Sequence, residues 1–412
     1  MGIIVQKYGG TSVANAERLR NVARRICRTK EQGHDVVVVA SAASGTTDEL
    51  IAMAHEISED PHGREFDMLV STGEQISVAL LAMTIQELGY KALSMTGYQV
   101  GILTDSTHTK ARIIDIGTDK IVEKLNEGYI VVIAGFQGVD INGNITTLGR
   151  GGSDTSAVAV AAALKADLCE IYTDVDGVYT ADPRIVPSAR RLDSISADEM
   201  MELASLGAKV LQLRSVEFAR RYNVPVAVRS SFTEAPGTLI GQETSEMERT
   251  RITGVALLRD QARVNMFNVP DRPGVAARIF AAIAALNVDV DMIVQAQNQG
   301  GEPDMSFTMP RQELKKVESA LSQVVQELGA GGITYQEGFA KVSVVGIGMR
   351  GHPGVAADVF DALARDNINI EMISTSEIKI SCLVKEELAE VAVRAVHDRF
   401  QLGESRPNDQ LA

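Results

Sequence analysis

A chain of 412 residues is too long for one ordinary hydrophobic core, so two or three domains are expected. Hydrophobic residues at 45% and charged residues at 23% are globular values that exclude wholesale disorder. The net charge of −14 argues against a nucleic-acid or anionic-membrane surface, which needs a basic stripe, yet leaves room for a local cluster of phosphate donors.

The cysteines Cys27, Cys169 and Cys382 lie far apart with no C-x-x-C, which excludes a disulfide framework and points to a reducing compartment. The opening Met1–Gln6 has no basic leader, and no apolar run approaches the ~20 residues of a membrane span. A cytoplasmic protein without membrane or nucleic-acid partners is expected.

From the amino terminus, apolar runs at Gly2–Gln6, Val36–Ala40, Tyr129–Ala134, Cys169–Thr173 and Val224–Val228 read as buried strands. Amphipathic stretches at Asn15–Thr29, Phe66–Leu88, Thr155–Leu164 and Lys209–Tyr222 read as helices between them. This alternation implies an α/β domain, a mostly parallel sheet covered on both faces, with ligands at the carboxyl ends of the strands.

Three segments at such strand ends carry chemistry. Lys7-Tyr8-Gly9-Gly10-Thr11-Ser12 follows the first strand; paired glycines admit phosphate oxygens to backbone amides, and a lysine can neutralise a transferring phosphoryl group. It is neither a Walker A loop nor a G-x-G-x-x-G turn, and a plain tight turn would use the same residues. Thr147–Thr155, with Gly149-Arg150-Gly151-Gly152-Ser153-Asp154 at its centre, opens a helix and offers orphan amides beside a planar guanidinium fork. An ordinary cap by Ser153 or Asp154 is the plainer reading. Tyr172–Arg184 leaves a strand into a turn rich in carboxylates and tyrosines, suited to a nucleoside pocket or to a hairpin on Asp176-Gly177. Ser41–Thr47 and Ser71–Gln75 are lesser segments; on local evidence Glu74 is a solvated helix-start glutamate. No histidine has zinc-ligand spacing and each is expected on the surface or in a loop, so no protein-built metal site is expected.

After Pro236-Gly237 a polar run marks a linker over 242–260, closing a domain at 1–241. The chain then repeats itself. Pro273–Ala277 recurs as Pro353–Ala357, and Phe280, Asn287 and Met292-Ile293 recur as Phe360, Asn367 and Met372-Ile373 without a gap. Each copy reads as a ferredoxin-like βαββαβ unit, at 261–337 and 338–402, with a fraying tail at 403–412.

In series these motifs resemble the aspartate kinase family: a three-layer α/β/α amino-acid kinase domain followed by two ferredoxin-like ACT regulatory domains. The likeness runs from Lys7 to about Phe400. It implies phosphoryl transfer from ATP, with Mg²⁺ carried on its phosphates, to the side-chain carboxylate of L-aspartate. Lys7 and Asp154 match the catalytic positions, and Ser41, Thr47, Glu74, Arg150 and Ser153 the substrate pocket. Lys7, Tyr8, Gly9, Gly10, Thr173, Asp174, Tyr179, Arg184, Lys209 and Val210 match the nucleotide positions. A carboxylate is already nucleophilic, so such a site needs alignment and charge neutralisation, not a general base.

The resemblance also implies feedback inhibition by lysine, threonine or both, bound where two modules pair edge to edge. Asp271, Gly274, Ala276, Asp291 and Gln295 match one side, and Asn369, Ile370, Ser376 and Glu377 the other. The family often has Gln-Asn where this chain reads Gln295-Ala296-Gln297, so either glutamine is open as the contact; Ala43 stands where methionine is common. A homo-oligomer through the ACT domains is implied, with a shorter chain of those domains as a further partner. No fused homoserine dehydrogenase is expected. The alternatives are another kinase of the same fold, acting on acetylglutamate, glutamate or UMP, and a non-catalytic amino-acid sensor.

Overall fold

Val36, Val37, Val38 and Val39 are consecutive, β-branched and wholly buried, as the middle of a sheet covered on both faces demands. They belong to β2 (Asp35–Ala40) in a computed structural model that describes residues 2–207, 210–243, 251–297, 302–350 and 352–404. The chain divides into two compact units, Met1–Tyr179 with Arg191–Glu248, and Thr180–Arg190 with Arg249–Ala412.

In the first unit the strands are β1 (Ile3–Tyr8), β2, β3 (Ala92–Met95), β4 (Ile102–Thr104), β5 (Ile113–Ile116), β6 (Ile130–Ala134), β7 (Gln137–Val139), β8 (Ile145–Thr147), β9 (Leu168–Thr173), β10 (Ser194–Ser196), β11 (Val226–Ser230) and β12 (Thr238–Gly241). Eight of them form one sheet in the order β10-β12-β11-β9-β1-β2-β6-β3, parallel except where β11 meets β12. The helices are α1 (Ala16–Glu31), α2 (Thr46–Ile57), α3 (Arg64–Val70), α4 (Thr72–Glu87), α5 (Gly97–Val100), α6 (Asp119–Asn126), α7 (Gly152–Leu164), α8 (Ala197–Ser205) and α9 (Leu213–Tyr222). Leu19, Val22 and Ile26 of α1 and Val78, Leu81 and Ile85 of α4 pack with Val36, Val38 and Val132 into one core. The small-residue helix α7 packs against β1, β2 and β9. A second sheet, β5-β4-β7-β8, had no counterpart in the sequence reading.

The continuous helical run Arg64–Glu87 is long and apolar enough to cross a membrane by length and composition. Half of its apolar window is buried inside the unit, with Asp67, Glu74 and Ser77 among the buried residues, while Ile76, Leu80 and Met83 are exposed. No hairpin forms on Asp176-Gly177; Tyr179 instead makes a single antiparallel bridge to Arg191.

The second unit corrects the expected linker. Strand β13 begins at Gly254, inside the 242–260 span, and runs to Phe267; residues 244–250 lie outside the described residues. β13 pairs along its length with β16 (Gly332–Val345), from Gly254 opposite Val345 to Phe267 opposite Gly332. With β14 (Ile293–Gln297), β15 (Pro303–Pro310), β17 (Met372–Thr375) and β18 (Lys379–Lys385) they build one sheet ordered β14-β15-β13-β16-β18-β17. The first βαββαβ module closes with the Gly332 end of β16. The second takes its last strand from the Gly254 end of β13, which precedes the first module in sequence. The sequence shows no final strand after the last helix of that copy, and pairing with β16 satisfies an edge that would otherwise be bare.

The two modules have separate cores. Val264, Ile279, Phe307 and Leu321 lie in the first; Val344, Val359, Leu363 and Val393 lie in the second. Ala181 and Val186, from the segment expected in the kinase domain, join the second core. His397 corrects the surface expectation: it is 1% exposed in this core, with Nε2 3.0 Å from the Thr180 hydroxyl.

Candidate active site

The parallel strands β1, β2, β6, β9 and β11 end at one edge of the sheet, and their exit loops are laced together there. Gly9 N donates to Tyr172 O at 3.2 Å, Ser41 N to Tyr8 O at 3.0 Å, and Gly135 N to Ala40 O at 3.0 Å. Ser44 N donates to Gly10 O at 3.1 Å, and Ser231 N to Thr173 O at 2.9 Å. At Gly10 a Cβ would stand 2.7 Å from the Ala42 carbonyl, so only glycine permits the close approach of the first two loops.

Period-two alternation splits the first motif. Lys7 faces α7, and its ammonium lies 2.6 Å from Asp154 Oδ1 in that helix's first turn. Tyr8 faces the opposite side, fully buried and stacked on Tyr172 with ring centroids 4.8 Å apart. The Tyr8 side chain is thus a core group, while its backbone carbonyl accepts the Ser41 amide at 3.0 Å.

The loop before α7 needs its glycines. Gly149 and Gly151 have φ of 77° and 69°, values a Cβ resists, and Gly151 replaces a side-chain cap at the start of the helix. Asp154 is thus not a cap but the partner of Lys7. Arg150, exposed between the two glycines, makes no ion pair among the described residues. Ser153 is buried against Gly135, where an added Cβ would come within 2.8 Å of its hydroxyl oxygen.

Glu74 is not solvated. It is 3% exposed in the first turn of α4, with Oε1 accepting the Ala42 amide at 3.1 Å. Burial pushes its carboxyl up to about 7, opposed by the Ala42 hydrogen bond. Its second oxygen, Oε2, is buried with no partner. Lys7, Gly9, Gly10, the Ser41–Ala42 turn, Glu74, Ser153 and Asp154 thus line the mouths of β1, β2 and β6. Thr47 is half-buried in the first turn of α2.

The nucleotide-side residues converge less. Thr173 donates to Asp174 at 3.1 Å, Tyr179 donates to Asp176 at 2.8 Å, and Val210 is half-buried. Arg184 belongs to the second unit, where it pairs with Asp182 at 2.7 Å and is 88% exposed. Lys209 lies outside the described residues. Sequence reasoning missed Gly135 and Ser231, which the strand-end rule alone could have flagged.

The effector residues do not form one site within a chain. Gln295 sits on edge strand β14, while Ser376 and Glu377 follow β17 at the other edge of the six-stranded sheet. Ser376 and Glu377 share a cavity of about 610 Å³ with His352, Gly354 and Thr375. Asp291 is already paired with the buried Lys341. Asn369 reaches Glu371 at 3.4 Å, Ile370 packs on the second core, and Asp271, Gly274 and Ala276 are exposed at the first module's Pro-Gly turn.

Comparison with known proteins decides the family. The amino acid kinase family model matches residues 2–230, and ACT domain models match 263–326 and 342–400. An aspartate kinase of Pseudomonas putida is 55% identical over 403 residues, covering 98% of each chain. The chain belongs to the aspartate kinase family. Two solved structures of E. coli aspartokinase III are 29% identical to it. The R-state in complex with aspartate and ADP has a TM-score of 0.80 and covers 96% of this chain and 99% of that one. The T-state in complex with lysine and aspartate has a TM-score of 0.76 and covers 97% and 99%. As an aspartate kinase the chain is an ATP-dependent phosphotransferase, and its repeated C-terminal modules are ACT domains.

Proposed function

We propose that the laced strand ends bind L-aspartate and the ATP phosphates together, with the β-carboxylate of aspartate attacking the γ-phosphorus. The observation that carries this is Glu74 Oε2: a buried, unpartnered carboxylate oxygen beside the Ser41–Ala42 turn is a receptor for an α-ammonium group. Arg150 takes the α-carboxylate in its planar fork, with Ser41, Thr47 and Ser153 lining the pocket. Lys7, held by Asp154, and the amides of Gly9 and Gly10 offset charge on the transferring phosphoryl group. Thr173, Asp174, Tyr179, Lys209 and Val210 serve the nucleotide. Mg²⁺ arrives on the ATP phosphates and adds to the neutralisation of their charge; no cluster of three ligating side chains stands ready for it among the described residues.

The cavity at Ser376 and Glu377, and the matching turn at Gly274, take amino-acid effectors, lysine or threonine or both. Gly274 and Gly354 have φ of 95° and 105° at the starts of their helices, so each helix presents bare amides to an effector carboxylate. Because Gln295 and Ser376 sit at opposite edges of one sheet, a site using both needs the β14 edge of one chain against the β17 edge of another. A cytoplasmic homo-oligomer through the ACT domains, open to a shorter chain of such domains, follows from this reading. Steady-state turnover with ATP and aspartate, acetylglutamate or glutamate, with and without lysine and threonine, tests it. Turnover of another acceptor in preference to aspartate would overturn the substrate reading.

A further inference from the structure

The loop that carries Arg150 is rooted in a polar clasp that no motif announces. Its root is Thr147-Leu148, at the end of β8, and every backbone hydrogen-bonding group there is engaged. Thr147 N donates to Asp67 Oδ2 at 3.1 Å, and the Thr147 hydroxyl to Asp67 Oδ1 at 2.6 Å. Thr147 O accepts the Ala111 amide at 2.9 Å, and Leu148 N donates to Phe136 O at 2.9 Å. Leu148 O accepts Nη1 of Arg214 at 2.7 Å, while Nη2 of the same guanidinium donates to Ala111 O at 3.1 Å.

Asp67 also accepts the Thr109 amide at 3.1 Å and Nδ1 of His108 at 2.8 Å. It is fully buried, at 0% exposure, in α3. Thr109 holds φ at 66°, and its carbonyl oxygen would lie 3.0 Å from a Cβ on Gly149. One carboxylate therefore ties α3, the segment 108–109 and β8 together, and one guanidinium ties α9 to both β8 and residue 111. An apolar side chain would fill the same volume without the desolvation cost of a buried charge. What Asp67 and Arg214 add is direction at the root of a loop whose glycines hold left-handed φ values of 77° and 69°.

We propose that Asp67 and Arg214 are positioning residues that aim the Gly149–Gly151 loop, and with it the Arg150 guanidinium, at the amino-acid substrate. Neither touches the reacting atoms. This rests on the reading of Arg150 as the α-carboxylate clamp, and a displacement near 1 Å at such a clamp costs on the order of 10²-fold.

The test is a steady-state series on the full chain with Asp67→Asn, Arg214→Lys, Arg214→Met, Arg150→Lys and the double variant Asp67→Asn/Arg150→Lys. Asparagine sets an amide donor against the donors of Thr147, Thr109 and His108. The aspartate KM of Asp67→Asn should rise on the order of 10- to 10²-fold, with the ATP KM unmoved. Arg214→Met should follow, and Arg214→Lys, which keeps the charge on a single nitrogen in place of two, should recover part of the loss. The double variant should be little worse than Arg150→Lys, because a misaimed clamp has little left to lose. Equal rises in both KM values, or fully multiplicative effects in the double variant, overturn the proposal. Should Asp67→Asn fail to fold, the two Arg214 variants decide alone: no split between the two KM values, or no recovery by lysine, overturns it. If Arg150→Lys leaves the aspartate KM unchanged, the clamp reading falls with the proposal; if Arg150→Lys is impaired and the positioning variants are not, only the proposal falls.

Discussion

The Lys7 ammonium, near the end of β1, lies 2.6 Å from the Asp154 carboxylate in the first turn of α7, and each residue is 8% exposed. The pair joins two motifs that are far apart in sequence, and it fixes the cation at the strand mouth beside Gly9. Removing one partner of a buried pair leaves the other charge uncompensated.

Lys7→Ala is accordingly expected to lower kcat on the order of 10²- to 10³-fold with a smaller change in aspartate KM. It should also cost about 3–5 kcal/mol of stability, read by urea titration. Lys7→Met/Asp154→Asn should recover stability but not activity. Near-normal kcat in Lys7→Ala would remove Lys7 from the reaction.

Arg150→Lys tests shape against charge. A guanidinium can hold both oxygens of a carboxylate, whereas an ammonium is a point charge. Aspartate KM should rise strongly and ATP KM should stay near its starting value. Equal effects on both substrates move Arg150 out of the amino-acid pocket.

Glu74 links pH to binding and to stability. Its folded carboxyl titrates near 7, raised by burial from 4.5. Aspartate affinity, measured by calorimetry without nucleotide, should therefore weaken as pH falls through about 7, because an ammonium needs the carboxylate form. The stability sign follows from the raised value: the contribution is full below 4.5 and is lost as pH rises through about 7. Glu74→Gln should bind aspartate poorly with little pH dependence, yet melt a few degrees above wild type in mildly alkaline buffer. A variant melting below wild type there would contradict the buried charge.

Inhibition should be separable from catalysis. An effector acts only through its differential affinity for two states, so weakening its site leaves the uninhibited enzyme intact. Ser376→Ala or Gln295→Ala should weaken inhibition by lysine or threonine with kcat near normal in their absence. Because these residues occupy opposite sheet edges, dilution of the full chain to monomers, followed by light scattering, should abolish inhibition as well.

His397 should make the second unit acid-sensitive. The Thr180 hydroxyl accepts the Arg190 amide at 3.0 Å and lies 3.0 Å from Nε2 of His397, a contact in which only a neutral imidazole can accept the hydroxyl proton. Burial lowers the pKa of His397 below the ordinary 6.5, so its contribution is present above 6.5 and is lost as pH falls through the lowered value. Hydrogen-exchange protection in Thr180–Arg190, corrected for intrinsic rates, should fall on acidification. Unchanged protection would count against it.

Much of this molecule was legible in order along the chain. Valine runs gave the strands, the Pro-Gly repeat gave the two modules, and glycines beside Lys7 and Arg150 marked two of the loops that meet at the strand ends. These are local signals, because backbone conformation and period are set by neighbouring residues. What the sequence could not show depends on partners distant in the chain. Glu74 reads as a solvated helix-start acid until folding brings the Ala42 amide to it. Asp67 and Arg214 are unremarkable until both meet the root of one loop. Gly254–Leu258 reads as linker until β16 supplies its hydrogen bonds, and Thr180–Arg190 belongs to the second unit only because His397 and the apolar residues of that core receive it. Burial and pairing are properties of packing, and only the tertiary structure assigned them.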